Sequence, residues 1–281
     1  ITLYNDQTDT NFFRKKSIDL VYQELKHFKN NFGIKYNYFW ADTFLSWNNQ
    51  EFDEFCEMYS EIKLPFWMQT RPETLTDYKI KRLAEVGLHR ISFGIEHGNE
   101  AFRKKLLKRD WKNGPIIEAL KIPTKYGIAF SVNNITGFPT ETRDLAMHTV
   151  ELNRHIESQN QNLYSFVPFH GTPLRKKCEE LGLVEPDTIT KALTDKPMLV
   201  QDQYTPREIE GLQKCFVFYV KMPKSRWKDI KKAEENTPEG NKIFAELKEE
   251  YAENYLSPIE ASSKNDSHNT ADLEYEIEHS D

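Results

Sequence analysis

The chain has 281 residues, enough for one large barrel or about two ordinary domains, and its formal net charge of −6 excludes a general basic field for binding nucleic acid or an anionic membrane. No run of about 18 apolar residues occurs, so we expect no membrane-spanning helix. Three scattered cysteines, Cys56, Cys178 and Cys215, are too few and too far apart for a disulfide framework or a CxxC metal knuckle. They indicate buried small hydrophobes in a reducing, cytoplasmic compartment.

Strand and helix patterns alternate along the first two thirds of the chain. Apolar residues at spacings of three and four predict a first helix from Lys16 to His27, capped by Ser17. The aromatic run Tyr36–Trp40 then predicts a strand that leads to Asp42. Further strands are predicted at Pro65–Arg71, Arg90–Glu96, Ala129–Ile135 and Leu163–Phe169, and helices are predicted to begin near Asn48, Thr76, Asn99, Ile116 and Thr140.

The regular recurrence of these units predicts an α/β fold. The predicted strands start at a mean interval of about 32 residues, close to the roughly 31 residues per unit of a (β/α)₈ barrel. Successive strand–helix–strand units favour a parallel sheet, and five strands predict a partial (β/α) barrel over residues 1–184. A helical extension is predicted over residues 185–257, with helix starts at Thr205 and Thr237, followed by a disordered acidic tail over residues 258–281.

Polar side chains follow the predicted strands at their carboxyl ends, where a parallel barrel gathers its reactive groups. They are Asp42, Gln69, Arg71, Glu96, Asn133, Asn134, Thr136 and His170. Carboxylates accept hydrogen bonds from ammonium and hydroxyl groups, and arginine forks onto a carboxylate, so this set could bind a nucleoside-like ligand with an amino-acid tail. His97 and His170 are interpreted as hydrogen-bonded loop residues, the Lys104–Arg109 stretch is interpreted as a solvated helix face, and no metal site is predicted.

Three motifs resemble those of a known family. They are FGIEHG over Phe93–Gly98, NITGFPTET over Asn134–Thr142 and FVPFHGTPL over Phe166–Leu174. In their order and spacing they resemble the radical SAM superfamily, and in particular the branch whose members often carry an upstream cobalamin-binding domain. The resemblance covers about residues 1–184 and implies a partial barrel of the radical SAM type.

This resemblance also implies a cofactor chemistry. A [4Fe-4S] cluster with one open iron chelates S-adenosylmethionine (SAM), and electron transfer from a donor such as flavodoxin or ferredoxin cleaves SAM to methionine and a 5′-deoxyadenosyl radical. A cobalamin-using methyltransferase is one form that the parent enzyme could take. The substrate, which could be a small molecule or a modified macromolecule, and the catalytic residues are not indicated.

Six residues match positions that contact SAM in the family. The resemblance implies that Asp42 meets the amino group of SAM, Arg71 its carboxylate and Glu96 its ribose or methionyl part, and that Asn133, Ile135 and Gly137 belong to the adenine-contacting strand. The resemblance implies these roles, and the spacing of the residues alone does not indicate them.

The chain departs from the family at the cluster loop, a CxxxCxxC motif whose thiolates hold three irons. No two cysteines here have that spacing. We expect the first strand and the cluster ligands to lie upstream of Ile1, so that the chain is an N-terminally truncated core without activity of its own. Two alternatives stay open: a cluster-free barrel that binds SAM or another metabolite, and a different barrel enzyme with Asp42 and Glu96 as an acid/base pair.

Overall fold

The computed structural model describes residues 15–41, 43–192 and 196–255. Asp42 and the predicted acidic tail over residues 258–281 lie outside these ranges. The chain divides into two compact units, Ile1–Gln213 and Lys214–Asp281. None of the helices in the described ranges is long and apolar enough to cross a membrane.

A single open sheet of five parallel strands forms the centre of the first unit. The strands are β1 (Asn37–Phe39), β2 (Phe66–Thr70), β3 (Leu88–Glu96), β4 (Ala129–Thr136) and β5 (Asn160–Ser165), side by side in chain order. Because every neighbouring pair is parallel, each connection is a crossover and all carboxyl ends meet at one edge. The predicted α/β partial barrel is confirmed, as a sheet that does not close within the described residues.

Helices connect the strands of the first unit. They are α1 (Ile18–Phe32), α2 (Asn49–Ile62), α3 (Asp77–Glu85), α4 (Glu100–Leu107), α5 (Asn113–Ala119), α6 (Lys121–Lys125), α7 (Arg143–Asn153) and α8 (Pro173–Glu180), with 3₁₀ turns at Phe44–Ser46 and Pro72–Thr74. Ser17, Asn48, Thr76 and Asn99 cap α1 to α4 as predicted. Each of these side chains accepts a hydrogen bond from a backbone N–H three residues further on, which satisfies a donor that the first helical turn leaves free.

Two helix predictions are wrong. The predicted cap at Thr140 is instead Thr142, because Thr140 has a φ of +68° and a cap residue needs an extended backbone. The single helix predicted from Ile116 to Tyr126 is two helices, α5 and α6, that meet at Leu120. Pro123 accounts for the break, because it has no N–H to donate to the preceding turn.

The fifth strand lies earlier in the chain than predicted. It spans Asn160–Ser165 and not Leu163–Phe169, although its amide-rich start has low strand propensity. Pairing with β4 compensates, since Asn162 Nδ2 donates to Asn133 Oδ1 at 2.9 Å in addition to the backbone ladder. The remaining strands match their predictions to within two residues at either end.

The hydrophobic core lies between one face of the sheet and the surrounding helices. Alternate strand residues supply it, including Phe66, Met68, Ile91, Phe93, Phe130 and Val132, together with Phe52, Phe55 and Tyr59 of α2 and Ile80 and Leu83 of α3. The three cysteines are buried and none forms a disulfide, which confirms their interpretation as small hydrophobes. Burial raises the pKa of the Cys56 thiol to about 12 and that of Cys178 to about 11, so both stay protonated at neutral pH.

The C-terminal part of the described chain is helical. Its helices are α9 (Pro206–Lys221), α10 (Trp227–Ala233) and α11 (Pro238–Asn254). Thr205 and Glu208 form the predicted capping box of α9, and Thr237 caps α11 as predicted. Within the second unit the ring of Phe218 packs against those of Phe244 and Tyr251, at centroid distances of 5.3 and 5.8 Å.

Candidate functional site

The face of the sheet opposite the core carries polar and aromatic side chains, and we call it the polar face. Strand alternation places on it Trp67 and Gln69 of β2, Arg90, Ser92, Gly94 and Glu96 of β3, Ser131, Asn133 and Ile135 of β4, and Asn160, Asn162 and Tyr164 of β5. Side chains bond across the strands: Trp67 Nε1 donates to Ser92 Oγ at 2.9 Å, and Ser92 Oγ lies 2.9 Å from Ser131 Oγ. This face therefore holds hydrogen-bonding groups on neighbouring strands in fixed positions.

Glu96 ends β3 and turns its carboxylate back over the polar face. Its φ is +70°, and the register between β3 and β4 shifts between Gly94 and Glu96, which marks a bulge. A Cβ atom on Gly94 would lie 2.5 Å from Glu96 Oε1. Residue 94 must therefore lack a side chain for the carboxylate to occupy this position.

Arg109 is the partner of Glu96. Its Nη2 lies 3.2 Å from Glu96 Oε1, and its Nη1 donates to the Gly94 carbonyl at 3.0 Å. Burial raises the pKa of Glu96, while the positive charges of Arg109 and Arg71 oppose that rise. The interpretation of Arg109 as part of a solvated helix face is wrong, because Lys108 ends α4 in the left-handed conformation and the chain turns back toward the sheet.

The loop that follows β4 is organised by a second glutamate, Glu141, which is fully buried. Its Oε2 accepts from the N–H groups of Gly137 and Phe138 at 2.6 and 2.9 Å. Its Oε1 lies 3.1 Å from His97 Nε2. Because His97 Nδ1 accepts from the Asn99 N–H, the ring proton is on Nε2 and is donated to Glu141. The interpretation of His97 as a hydrogen-bonded residue is confirmed.

Residues 138 to 141 form a tight turn in this loop. Glu141 N donates to Phe138 O at 3.1 Å, Pro139 occupies the second position, and Thr140 occupies the third with its φ of +68°. This is the pattern of a type II turn, whose third position normally takes glycine or asparagine. Gly137, with φ of +82°, precedes the turn, and a Cβ atom there would lie 2.9 Å from Ile209 Cδ1.

Five of the six residues predicted to contact SAM lie at the carboxyl edge of neighbouring strands. Arg71 follows β2, Glu96 ends β3, Asn133 and Ile135 lie near the end of β4, and Gly137 follows it. Asp42, the sixth, lies outside the described residues. Asn133 and Ile135 project from β4 onto the polar face, where Glu96 of β3 also lies. Arg71 is near enough for its charge to act on the Glu96 carboxyl.

Three other strand-end candidates are not brought into this region as ligands. Asn134 is buried on the opposite side of the sheet, where its Nδ2 donates to Asn153 Oδ1 at 3.2 Å and Asn153 Nδ2 donates back at 3.0 Å. Thr136 is buried beside Glu141 and Tyr204. His170 is exposed in the loop after β5. Asn134 and Thr136 therefore stabilise the fold.

The chemistry of the side chains at this edge of the sheet decides which cofactors they could hold. Within the described ranges, no group of three or more His, Cys, Asp or Glu residues could hold a metal ion, and the three cysteines are buried at separate places. They do not fit an iron–sulfur cluster. Glu96 and Arg109 do fit a zwitterionic ligand, because a carboxylate binds ammonium and a guanidinium binds carboxylate.

A separate cavity of about 610 Å³ lies beside β1, at the edge of the sheet. Six of its 14 lining residues are aromatic, and they include Phe28 of α1, Phe39 and Trp40 at the end of β1, and Phe44 and Trp47 of the segment that follows. Glu96, Arg109 and the Gly137–Glu141 loop do not line it. The cavity is therefore distinct from the charged pair.

Comparison with known proteins indicates the family of this chain. A family model described as the radical SAM superfamily matches residues 4–152. An uncharacterized methyltransferase of Pyrococcus horikoshii is 24% identical over 220 residues, which cover 78% of this chain and 48% of that protein. The chain spans about half or less of the length of the curated relatives that it matches.

Solved structures share the fold. The cobalamin-dependent SAM radical enzyme OxsB gives a TM-score of 0.53 at 14% identity, over 84% of this chain and 42% of that one. Coproporphyrinogen III oxidase of Escherichia coli, a radical SAM enzyme, gives a TM-score of 0.52 at 16% identity, over 60% of this chain and 41% of that one. At these identities the similarity shows the fold.

Proposed function

The chain belongs to the radical SAM superfamily of enzymes, and from that premise we propose that the carboxyl edge of its sheet is the SAM-binding site of a parent enzyme that cleaves SAM reductively. Membership of the family implies both SAM and a [4Fe-4S] cluster. The observation that carries the proposal is the pairing of Glu96 with Arg109 next to the end of β4. It presents one negative and one positive group at the edge where the matched strand ends meet.

The two ends of SAM differ in chemistry, and the two parts of the site match them. The methionyl end carries an ammonium and a carboxylate, for which Glu96 and Arg109 are the complementary charges. Arg71, first predicted as the carboxylate partner, remains a second cation near Glu96, since its charge acts on the Glu96 carboxyl. Asn133 supplies an amide, and Ile135 and Gly137 supply apolar and main-chain surface, to the adenosine end.

The chain's own residues bind and orient; they do not supply the reducing centre. Bound SAM supplies the 5′-deoxyadenosyl group from which a one-electron reduction generates the radical. The described cysteines do not fit the cluster, and we place its ligands upstream of Ile1. Glu96 and Arg109 exchange their mutual contact for the ligand's charges, and the buried Glu141 keeps the loop after β4 in place.

Methyl transfer that uses cobalamin is the form of the reaction that the relatives favour. The Pyrococcus relative is named as a methyltransferase, and OxsB is described as cobalamin-dependent. An external reductant such as flavodoxin or ferredoxin would be the electron donor, in a reducing cytoplasmic compartment where three cysteines persist without disulfides. The cobalamin site would lie in polypeptide outside this chain.

Calorimetry with S-adenosylhomocysteine, a stable analogue of SAM, tests the site. Arg109→Gln removes the cation, and we expect it to weaken binding about tenfold or more, the usual effect of losing a charge-assisted hydrogen bond. Lys104→Gln is the matched control, because Lys104 is exposed on α4 and pairs with the exposed Asp110. Equal affinities in the wild-type chain and both variants would show that Arg109 is not part of the site.

The two alternatives make different predictions for a longer chain. If an upstream extension carries a CxxxCxxC motif, the extended protein should bind about four irons after anaerobic reconstitution and the present chain should not. A cluster-free metabolite-binding barrel would bind S-adenosylhomocysteine without iron in either form. An acid/base enzyme using Asp42 and Glu96 would turn over substrate in air without iron.

A further inference from the structure

We propose that Gln201 and Tyr204, which lie in the segment just before α9, are positioning residues for the SAM site. They hold the Gly137–Glu141 loop in the conformation that presents the end of β4 to the adenosine part of SAM. The inference rests on the proposed SAM site. Both residues belong to the first unit. Neither contributes to the sheet, yet both form hydrogen bonds to this loop or to its first neighbour.

Backbone strain singles out the loop. Within the described ranges, the non-glycine residues with positive φ are Lys63, Glu96, Lys108 and Thr140. Lys63 and Lys108 are left-handed C-caps of α2 and α4, a common location for this conformation. Glu96 and Thr140 lie instead at the ends of β3 and β4. For a β-branched residue such as Thr140 this conformation is unfavourable, and it persists only when the surrounding structure holds it.

The side chain of Gln201 supplies that support from outside the loop. Its Nε2 donates to Phe138 O at 3.0 Å, and its Oε1 accepts from Thr140 N at 2.8 Å. One amide thus bridges the first and third residues of the turn. Gln201 is only 5% exposed, so water competes little for these two bonds.

Tyr204 and Ile209 extend the support toward β4. The hydroxyl of Tyr204, which is fully buried, lies 3.1 Å from Thr136 Oγ1 at the last residue of β4. Ile209 of α9 packs against Gly137 so closely that a Cβ atom there would lie 2.9 Å from its Cδ1. Three side chains of one segment therefore contact three successive parts of the path from β4 into the turn.

Glu141 and Gln201 bind different main-chain groups of the same loop. Glu141, the last residue of the loop, accepts hydrogen bonds from the N–H groups of Gly137 and Phe138. Gln201 binds the carbonyl of Phe138 and the N–H of Thr140. With Glu141 alone, the Pro139–Thr140 peptide would be free to relax out of its strained conformation, and the end of β4 would lose a fixed shape. A loop that must fit a flat base needs both contacts.

The test compares two ligands that share adenosine. S-adenosylhomocysteine carries the amino-acid end, and 5′-methylthioadenosine lacks it. Gln201→Leu removes both hydrogen bonds, and we expect it to lower the affinity of the full chain for both ligands by about five- to tenfold. Arg109→Gln should lower the affinity for S-adenosylhomocysteine only. The matched control is Asp202→Asn, because Asp202 is the exposed neighbour of Gln201 in the chain.

Hydrogen exchange at the Thr140 amide gives a second measurement that does not depend on a ligand. Gln201→Leu should speed exchange at the amides of Phe138, Thr140 and Glu141 and leave the amides of β2 and β3 unchanged. If Gln201→Leu does not fold, Gln201→Asn keeps an amide that is too short to bridge Phe138 and Thr140, and it should produce the same local effect.

The outcomes separate the two proposals. If the wild-type chain binds neither adenosine ligand, the proposed SAM site is wrong, and the positioning role fails with it. If the wild-type chain binds both and Gln201→Leu binds 5′-methylthioadenosine equally well, the SAM site stands and the positioning role is overturned. Faster exchange throughout the sheet would also overturn it, because Gln201 would then support the whole fold.

Discussion

Two glutamates lie at the ends of neighbouring strands, Glu96 partly buried and Glu141 fully buried, and their partners differ in kind. Glu96, at the end of β3, faces the charged side chain of Arg109 on the polar face. Glu141, after β4, accepts from two backbone N–H groups and a neutral histidine. A bound ammonium and carboxylate can replace the Glu96–Arg109 contact, whereas no ligand can replace the groups that bind Glu141. We therefore expect the partners of a strand-end carboxylate to distinguish a candidate ligand site from a structural one.

The largest effect should come from removing the structural glutamate. Glu141→Leu leaves the N–H groups of Gly137 and Phe138 and the Nε2–H of His97 buried without an acceptor. We expect a loss of about 4 kcal/mol in the free energy of unfolding, since each unsatisfied buried donor costs about 1–3 kcal/mol and the loop can relax in part. Urea unfolding measures it. A loss no larger than that of Glu96→Leu would remove the distinction between the two glutamates.

Gly98 tests how rigidly the end of β3 is held against α7. A Cβ atom at this position would overlap main-chain atoms of His148 and Thr149, which cannot rotate away. We expect Gly98→Ala to cost about 3 kcal/mol in the free energy of unfolding, in the range of severe overpacking. Gly114→Ala is the control, because a Cβ atom there meets nothing within 4 Å and the residue lies in α5. The control should be neutral or more stable by about 0.5–1 kcal/mol.

Sequence patterns could predict the α/β class, the ends of four of the five strands and most of the helix caps, because these depend on local spacing and on side chains that bond within one turn. They could not predict Arg109, because its direction depends on the left-handed end of α4 at Lys108 and not on residue type. They also missed Gln201, which is separated from Phe138 and Thr140 by more than 60 residues and has no motif. The charged lysine and arginine run was misinterpreted for the same reason: one member of an exposed stretch can turn inward after the helix ends.

The ionisation of Glu96 should make the free energy of unfolding depend on pH. Burial raises its pKa in the folded chain, so folding favours the protonated form, and the resulting stabilisation is complete below the unfolded pKa and is lost as the pH rises through the folded pKa. Glu96→Gln cannot ionise. Relative to this variant, the wild-type chain should therefore lose stability as the pH rises from about 4.5. If the wild-type chain instead became more stable relative to Glu96→Gln as the pH rises, the charge of Arg109 would have a larger effect on the Glu96 pKa than burial has.

The smallest effect should appear at Thr140, and it distinguishes strain from packing. Glycine adopts a φ of +68° without a steric penalty, so Thr140→Gly removes a cost of about 1–2 kcal/mol and adds about 0.5–1 kcal/mol of backbone entropy loss on folding. Since the N–H to Gln201 is kept, we expect a net gain of about 0–1.5 kcal/mol in the free energy of unfolding. Thr140→Val keeps the β-branched shape and the strain, and it should show no gain. If Thr140→Gly lowered stability, the contacts of the threonine side chain would outweigh its strain, and the conformation at the end of β4 would be set by packing and not by the hydrogen bonds of Gln201 and Glu141.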